Sequence, residues 1–431
     1  MTESIISWVD HDPRARQQTY QLMASFGDSD SRDELGIGTI RDSISDFLFP
    51  GISTIQTRLR YILLVPWIYD HLESNRFKAS QFGTKAEEFE RSLIKPLISA
   101  DDSAGAFGKT SKEQVKRLPS SVYWSALSVW GIRKIDRSQD QYHRQISQIY
   151  KLLDNHKSML IRNISQGDSI DDQSIQTVMT WDPELPSPPK GFPEALDGLD
   201  FKLSGEEARY LREKLMVTNE NHNINHSGLS LLGELVKNPI PLDDDYPWGS
   251  KVVYAASTIN GELLEHARIF STLIHGAHLL YNLMVAEKSK EDHLSENSDV
   301  SKWDELIDHY QKELIRWHKN LQISDILNWS TSRFWEIIRH PGHNISQVIP
   351  FVESWRSIVL EKELRVDQNT KARELIKKRE LRTKPVSKSR LHNKDSRSRW
   401  GGNSATNRLT YRWSNVKVLL KDLYTGLGYG I

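Results

Sequence analysis

The sequence predicts a mainly α fold, a multi-helix body in two parts followed by a basic C-terminal segment. Three observations carry that reading. Apolar residues recur at helical spacing in most of the chain, period-2 alternation is nearly missing, and polar or Pro-rich intervals separate the periodic stretches. At 431 residues the chain exceeds the roughly 250 to 300 at which a single core stops growing, so two or three domains are expected. A hydrophobic share of 38% with 26% charged residues is that of a globular chain and excludes a wholly disordered or membrane-embedded class. No unbroken apolar run approaches the roughly 18 residues of a bilayer span, and Met1 to Trp8 has no signal-peptide pattern. A cytoplasmic location without membrane contact is expected. With no cysteine in the chain, disulfides, thiolate nucleophiles and Cys-ligated zinc or iron–sulfur clusters are excluded.

Taken in order, Ile40, Ile44, Phe47 and Leu48 repeat at i, i+4, i+7 and i+8 and predict a short amphipathic helix. After the turn Phe49-Pro50-Gly51, Ser53 and Gln56 have capping-box spacing, so a second helix is expected to start near Ser53 and to kink or end at Pro66. Its apolar face would hold Ile55, Leu59 and Ile62, leaving Thr57, Arg60 and Tyr61 opposite and Arg58 at the border. Further helices are expected over about 85–98, 121–131 and 139–156. Residues 157–193 break the pattern, ending in a Pro-rich run from Pro183 to Gly191 that cannot continue a helix.

Ser204 and Glu207 then cap a helix reaching Val217, and a short helix near Leu229 to Lys237 sits within the turn-rich interval Asn219 to Ser250. From Val252 to Lys288, the stripe Leu263, Ala267, Phe270, Ile274, Ala277 and Leu280 predicts the central buried helix of the second half. Helices resume, after a charged loop, at about 302–320, 331–339 and 344–382. The expected organisation is an N-terminal helical domain over 1–156, a linker over 157–193, a central helical domain over 194–370 and a basic segment over 371–431. No internal repeat is evident.

The net charge of zero conceals an asymmetry. Residues 371–417 carry fifteen Lys and Arg against Glu374, Glu380 and Asp395, a surplus of +12 balanced by −12 in the remainder. Such polarity marks a surface for polyanions or for an acidic partner.

The catalytic motifs are incomplete. Gly108-Lys109-Thr110 resembles the end of a phosphate-binding loop, but Ser103 stands where that loop needs glycine and no strand precedes it. His392-Asn393-Lys394 imitates the His-x-Lys of phospholipase-D-like nucleases, yet Arg399 occupies the position of the partner Asp. Three histidine pairs have helical or turn spacing: His222 with His226, His275 with His278, and His340 with His343. Zinc needs three or four ligands, and no carboxylate or third histidine is placed to complete a set, so packing at a helix crossing is the favoured reading. The acidic runs Asp101-Asp102 and Asp243 to Asp245 read as solvated turns. No catalytic residue, metal ligand or cofactor is assigned.

The basic tail is the strongest feature. In Arg397-Ser-Arg-Trp-Gly-Gly-Asn-Ser404 and Arg408-Leu-Thr-Tyr-Arg-Trp413, arginines alternate with aromatic rings and small residues. Guanidinium forks fit phosphate oxygens and aromatic faces stack on bases, so non-specific DNA binding is expected. The tail docked on an acidic body is the competing arrangement. The candidate contacts are Arg41, Arg58, Arg60, Lys377, Lys378, Arg379, Arg390, Arg397, Arg399, Trp400 and Arg412. Trp400 is expected on the binding side, and Trp413, followed at helical spacing by Val416, Leu419 and Leu420, in the core.

Several stretches together carry a family likeness. They are Ser7-Trp8-Val9-Asp10, Arg32 to Gly38, Arg41-Asp42, Leu48 to Arg58, Arg60-Tyr61, Pro66-Trp67, Arg117 to Trp124, Trp130-Gly131, His275-Gly-Ala, Leu280-Tyr-Asn282, Leu375-Ile376, Arg379-Glu380 and Tyr411-Arg-Trp413. Their pattern resembles a bacterial domain-of-unknown-function family, departing from it at Asn403-Ser404, where Ser-Gly is expected. Members of that family lie in phage-defence or restriction-like islands near helicases and nuclease-like proteins. The resemblance implies a non-catalytic DNA-binding or adaptor subunit of an anti-phage defence complex with such partners, and it transfers no catalytic residue. A metal-dependent nuclease built from scattered acids and histidines, and a purely protein-binding scaffold, are the alternatives.

Overall fold

The computed structural model describes residues 33–109, 115–166, 179–216, 228–339, 343–361 and 365–430. Among them the fold is helical, with an isolated antiparallel bridge between Arg133 and Trp181 as its extended pairing. In chain order the α-helices are α1 (Gly38–Leu48), α2 (Tyr61–Ser74), α3 (Ala79–Ser92), α4 (Ile94–Ser99), α5 (Pro119–Val129), α6 (Gln139–Gln166), α7 (Gly205–Leu215), α8 (Leu231–Lys237) and α9 (Ser250–Ala255). They continue with α10 (Thr258–Ser295), α11 (Ser301–Lys319), α12 (Ile323–Asn328), α13 (Thr331–Ile337), α14 (Ile349–Val359), α15 (Thr370–Thr383), α16 (Lys394–Ser398) and α17 (Trp413–Gly426).

The chain forms two compact units, and neither is contiguous. Among the described residues, unit 1 combines 33–43 with those of 265–409, and unit 2 combines those of 44–264 with 410–430, so the division runs through α1 and α10. Composition suggested consecutive parts, whereas the basic segment after 370 is shared between both units.

In unit 2, α2 is buried on every side from Tyr61 to Tyr69, and it packs on α3 and α5. A helix apolar all round is a core helix, and α2 runs on through Pro66 to Ser74 rather than stopping there. It begins at Tyr61, not near Ser53. The amides of Thr57 and Arg58 donate to the Tyr123 hydroxyl, at 2.9 and 3.0 Å, and that of Leu59 donates to Asp422 Oδ2 at 2.9 Å. These tertiary acceptors hold the preceding residues as turns, although Ser53 N still donates to Gln56 Oε1 at 3.2 Å. The α7 cap forms in full: the Ser204 hydroxyl accepts from Glu207 N and the Glu207 carboxylate accepts from Ser204 N. The expected helix over 85–98 divides at Leu93 into α3 and α4. Within residues 179–193, expected to lie in a linker, the Trp181 indole donates to Glu73 at 2.7 Å and Trp67 donates to the Pro186 carbonyl at 2.7 Å, while residues 187–191 are exposed.

α10 carries the predicted stripe, buried throughout, and all of it beyond Leu263 belongs to unit 1. It holds a window long and apolar enough for a membrane span by length and composition, and that window is mostly buried. Trp317 of α11 and Trp355 of α14 donate their indole N–H to the carbonyls of Thr272 and Leu273, at 2.7 and 2.8 Å. Gly276 makes the first approach possible, since a Cβ there would meet the Trp317 ring at 2.2 Å. The helix expected over 344–382 is two, α14 and α15, which pack on each other. That expected over 252–288 is likewise divided, into α9 and α10.

Candidate nucleic-acid interface

The arginines expected at DNA divide by burial. Arg58 and Arg60 are 7% and 8% exposed. Arg58 grips Asp422 with Nε and Nη2 at 2.9 to 3.1 Å, reaches Asp102 at 2.9 Å and lies over the Phe201 ring. Burial works against its charge, but hydrogen bonds to Asp422 and that carboxylate's field outweigh burial and hold its pKa above the ordinary arginine value. Arg60 donates to Asp200 at 3.0 Å and to buried Glu207 at 2.9 Å. Arg412, in the left-handed conformation at φ 65°, pairs with Asp46 and donates to the Ile52 carbonyl. Arg41, half-buried, forks onto Asp42 at 3.0 and 3.1 Å.

In unit 1 the tail arginines are likewise engaged within the fold. Arg379 spends its guanidinium on the carbonyls of Leu35, Gly36 and Gln347 at 2.7 to 3.0 Å and lies over Phe351. Arg390 pairs with buried Glu34, and Arg397 with Asp292 at 2.7 Å. Glu34 and Glu380 face Lys384, Arg390 and the Tyr281 hydroxyl in one buried network. Burial alone would raise the Glu380 pKa; the Ser389 hydroxyl, the charge of Lys384, Tyr281 and the Arg390 amide hold it below the carboxylate norm.

Trp400 departs from its expected open position. It is 2% exposed and stacks on Trp303 at 6.1 Å and 14°. Residues 402–409 lie along α11 and α10: Tyr310 donates to Gly402 O, Asn282 and Ser404 exchange two hydrogen bonds, Arg408 donates to Thr272 Oγ1 and Ser271 to Leu409 O. The small residues give the close approach expected of them, toward helices of this chain. Trp413 is fully buried, as its helical spacing predicts.

What stays outside is α15's outward side. Lys377 pairs with Glu374 at 2.8 Å with 40% of its side chain exposed, while Lys378, Arg382, Lys388 and Arg399 are exposed. Sequence reasoning chose Lys377, Lys378 and Arg399 but passed over Lys371, Arg382 and Lys388. The signal was present in the helical interval, because Lys371, Lys378 and Arg382 fall within about 40° of one another at 100° per residue.

His275 and His278 sit on α10. Burial lowers the pKa of His275 to about 4, with Arg408 adding to it, and that of His278 to about 3, with His275 and Arg41 adding, so both are neutral. Among the described residues no group of three His, Asp or Glu is arranged to hold a metal ion. Lys109 donates to Ser103 Oγ at 3.2 Å, the residue standing where a phosphate loop has glycine. Thr110, the His222–His226 pair and His340 lie outside the described residues.

A model described as a family of unknown function (DUF6361) matches residues 3–426. No curated protein and no solved structure matches the chain.

Proposed function

With the family match spanning nearly its whole sequence, the chain belongs to DUF6361, and from that premise we propose that it is a non-catalytic DNA-binding or adaptor subunit of a bacterial anti-phage defence complex. Helicase- or nuclease-like proteins would be its partners, in the cytoplasm and away from membranes. The observation supporting DNA contact is the outward side of α15, where Lys377, Lys378 and Arg382 remain at the surface while Arg379 and Glu380 beside them are buried. Contact would be electrostatic and without base preference, because phosphates position a protein and carry no sequence information.

The test is fluorescence anisotropy of labelled DNA with the full chain at several salt concentrations. Weak binding whose log affinity falls linearly with log salt is expected. Flat dependence, or no binding at low salt, removes DNA from the proposal. Incubation with plasmid and with ATP in Mg²⁺, Mn²⁺ or Zn²⁺ tests the non-catalytic part, and cleavage that survives repurification would favour the nuclease reading. A protein-binding scaffold is supported by one observation of its own: Leu381 and Val386 are 40% and 59% exposed among these cations, and apolar side chains have little to gain from phosphate.

A further inference from the structure

Resting on the DNA-binding reading and deepening it, we infer that Lys371, Lys378 and Arg382 form one row on α15 that reads the phosphate backbone of duplex DNA in preference to single strands. The row is fixed in direction by the opposite side of the helix. Ala372, Ile376, Arg379 and Glu380 are buried there, with Arg379 bonded to three carbonyls and Glu380 receiving Ser389, Tyr281 and the Arg390 amide. Rotation of α15 would break all of these, so its outward meridian is constant.

From Lys371 to Arg382 the row rises about 16 Å at 1.5 Å per residue. A duplex presents one charge per roughly 1.7 Å of axis with both strands counted, and each phosphate neutralised releases roughly 0.9 counterion from a duplex against roughly 0.7 from a single strand, so the same row gains more from the duplex. Glu374, the acid flanking the row, is occupied by Lys377. Lys371 bonds Glu361 at 2.9 Å with 71% of its side chain exposed, an exposed pair that a phosphate readily replaces.

The second observation concerns what single-strand binders use. Their affinity comes largely from bases stacked on aromatic faces. Here the tail rings Trp400, Tyr411 and Trp413 are 2%, 1% and 0% exposed, leaving none of the three open for a base. An electrostatic row with these three rings closed to bases favours the denser charge.

Anisotropy with a labelled duplex and a labelled single strand of equal length, titrated with the full chain at several salt concentrations, tests this. The duplex should bind roughly three- to tenfold tighter, with a log–log salt slope near −3 for three phosphate contacts. The K378E/R382E variant should retain its melting temperature, lose most duplex affinity and flatten the slope by about two. Single strands bound as tightly as duplex, or duplex affinity unchanged in that variant, would overturn the inference while leaving DNA binding itself in place. Poly-glutamate competing as well as duplex at equal charge would also overturn it and assign the row to an acidic protein. Failure to bind either nucleic acid at low salt removes the DNA-binding reading and this inference together.

Discussion

Residues 370–383 and 389–412 each hold six Lys and Arg, over 14 and 24 residues, and have opposite structural fates. In the first, a regular helix turns Lys371, Lys378 and Arg382 outward while Arg379 goes in. In the second, short helices and turns carry Arg390, Arg397 and Trp400 inward to meet Glu34, Asp292 and Trp303. Charge density alone does not distinguish a surface from a staple. What decides is whether the fold offers a buried or half-buried acceptor to the cation: Glu34 to Arg390, Asp292 to Arg397, and three carbonyls to Arg379.

The contrast can be broken most forcefully at Glu380. Glu380→Ala removes the carboxylate that pairs with Lys384 and accepts from the Ser389 and Tyr281 hydroxyls and the Arg390 and Leu391 amides, and should cost about 3 to 5 kcal/mol. A thermal scan should show a drop of about ten degrees or more; an unchanged midpoint would mean the network contributes no net stability. Trp400→Ala should cost about 3 kcal/mol through the cavity left against Trp303, without altering single-strand DNA binding per folded molecule. If the midpoint holds and binding falls instead, Trp400 belongs with the outward surface and the comparison fails.

Unit 2 offers a subtler probe. Burial pushes the Glu73 carboxyl from 4.5 to about 7, against hydrogen bonds from Tyr142 and Trp181. A carboxyl whose folded pKa lies above its unfolded value stabilises the fold while neutral: the contribution is whole below about 4.5 and fades as pH rises through about 7. Glu73→Gln, always neutral, should therefore gain on the parent by about 3 kcal/mol as pH rises from about 4 to about 8. Urea midpoints across that range would show it, and a constant difference would exclude ionisation as the cause. The smallest stability effect belongs to Lys378→Ala, within about 0.5 kcal/mol, combined with a salt slope for duplex DNA shallower by about 0.9.

Much of the helical fold was legible. The Ser204 capping box, the α10 stripe and the inward side of α17 all follow local spacing, and local spacing is what a helix obeys. Ser53 with Gln56 had the same spacing and gave a turn, because Tyr123 and Asp422 take the next amides. No local pattern announces acceptors 65 and 363 residues distant. The same limit applied to the candidate site. Arg58 and Arg60 read as an anion site until Asp422, Asp200 and Glu207 are seen around them, whereas the outward cations of α15 could be placed from helical spacing and the apolar positions Ala372 and Ile376.

The split composition of both units bears on how the polypeptide comes off the ribosome and how it can be cut. Residues 33–43 find their unit 1 partners only once positions up to 409 have emerged, and α2 waits for Asp422 to secure Leu59. Unit 1 therefore closes only after residues up to 409 have emerged and unit 2 only after α17 has, and until then apolar helices such as α2 are open to chaperones. A stop codon at 370, the natural way to ask what the basic segment does, would remove α15 from unit 1 and α17 from unit 2 at once. Loss of activity in such a truncation would report an unfinished fold, and charge reversal at Lys378 and Arg382 in the intact chain is the cleaner cut.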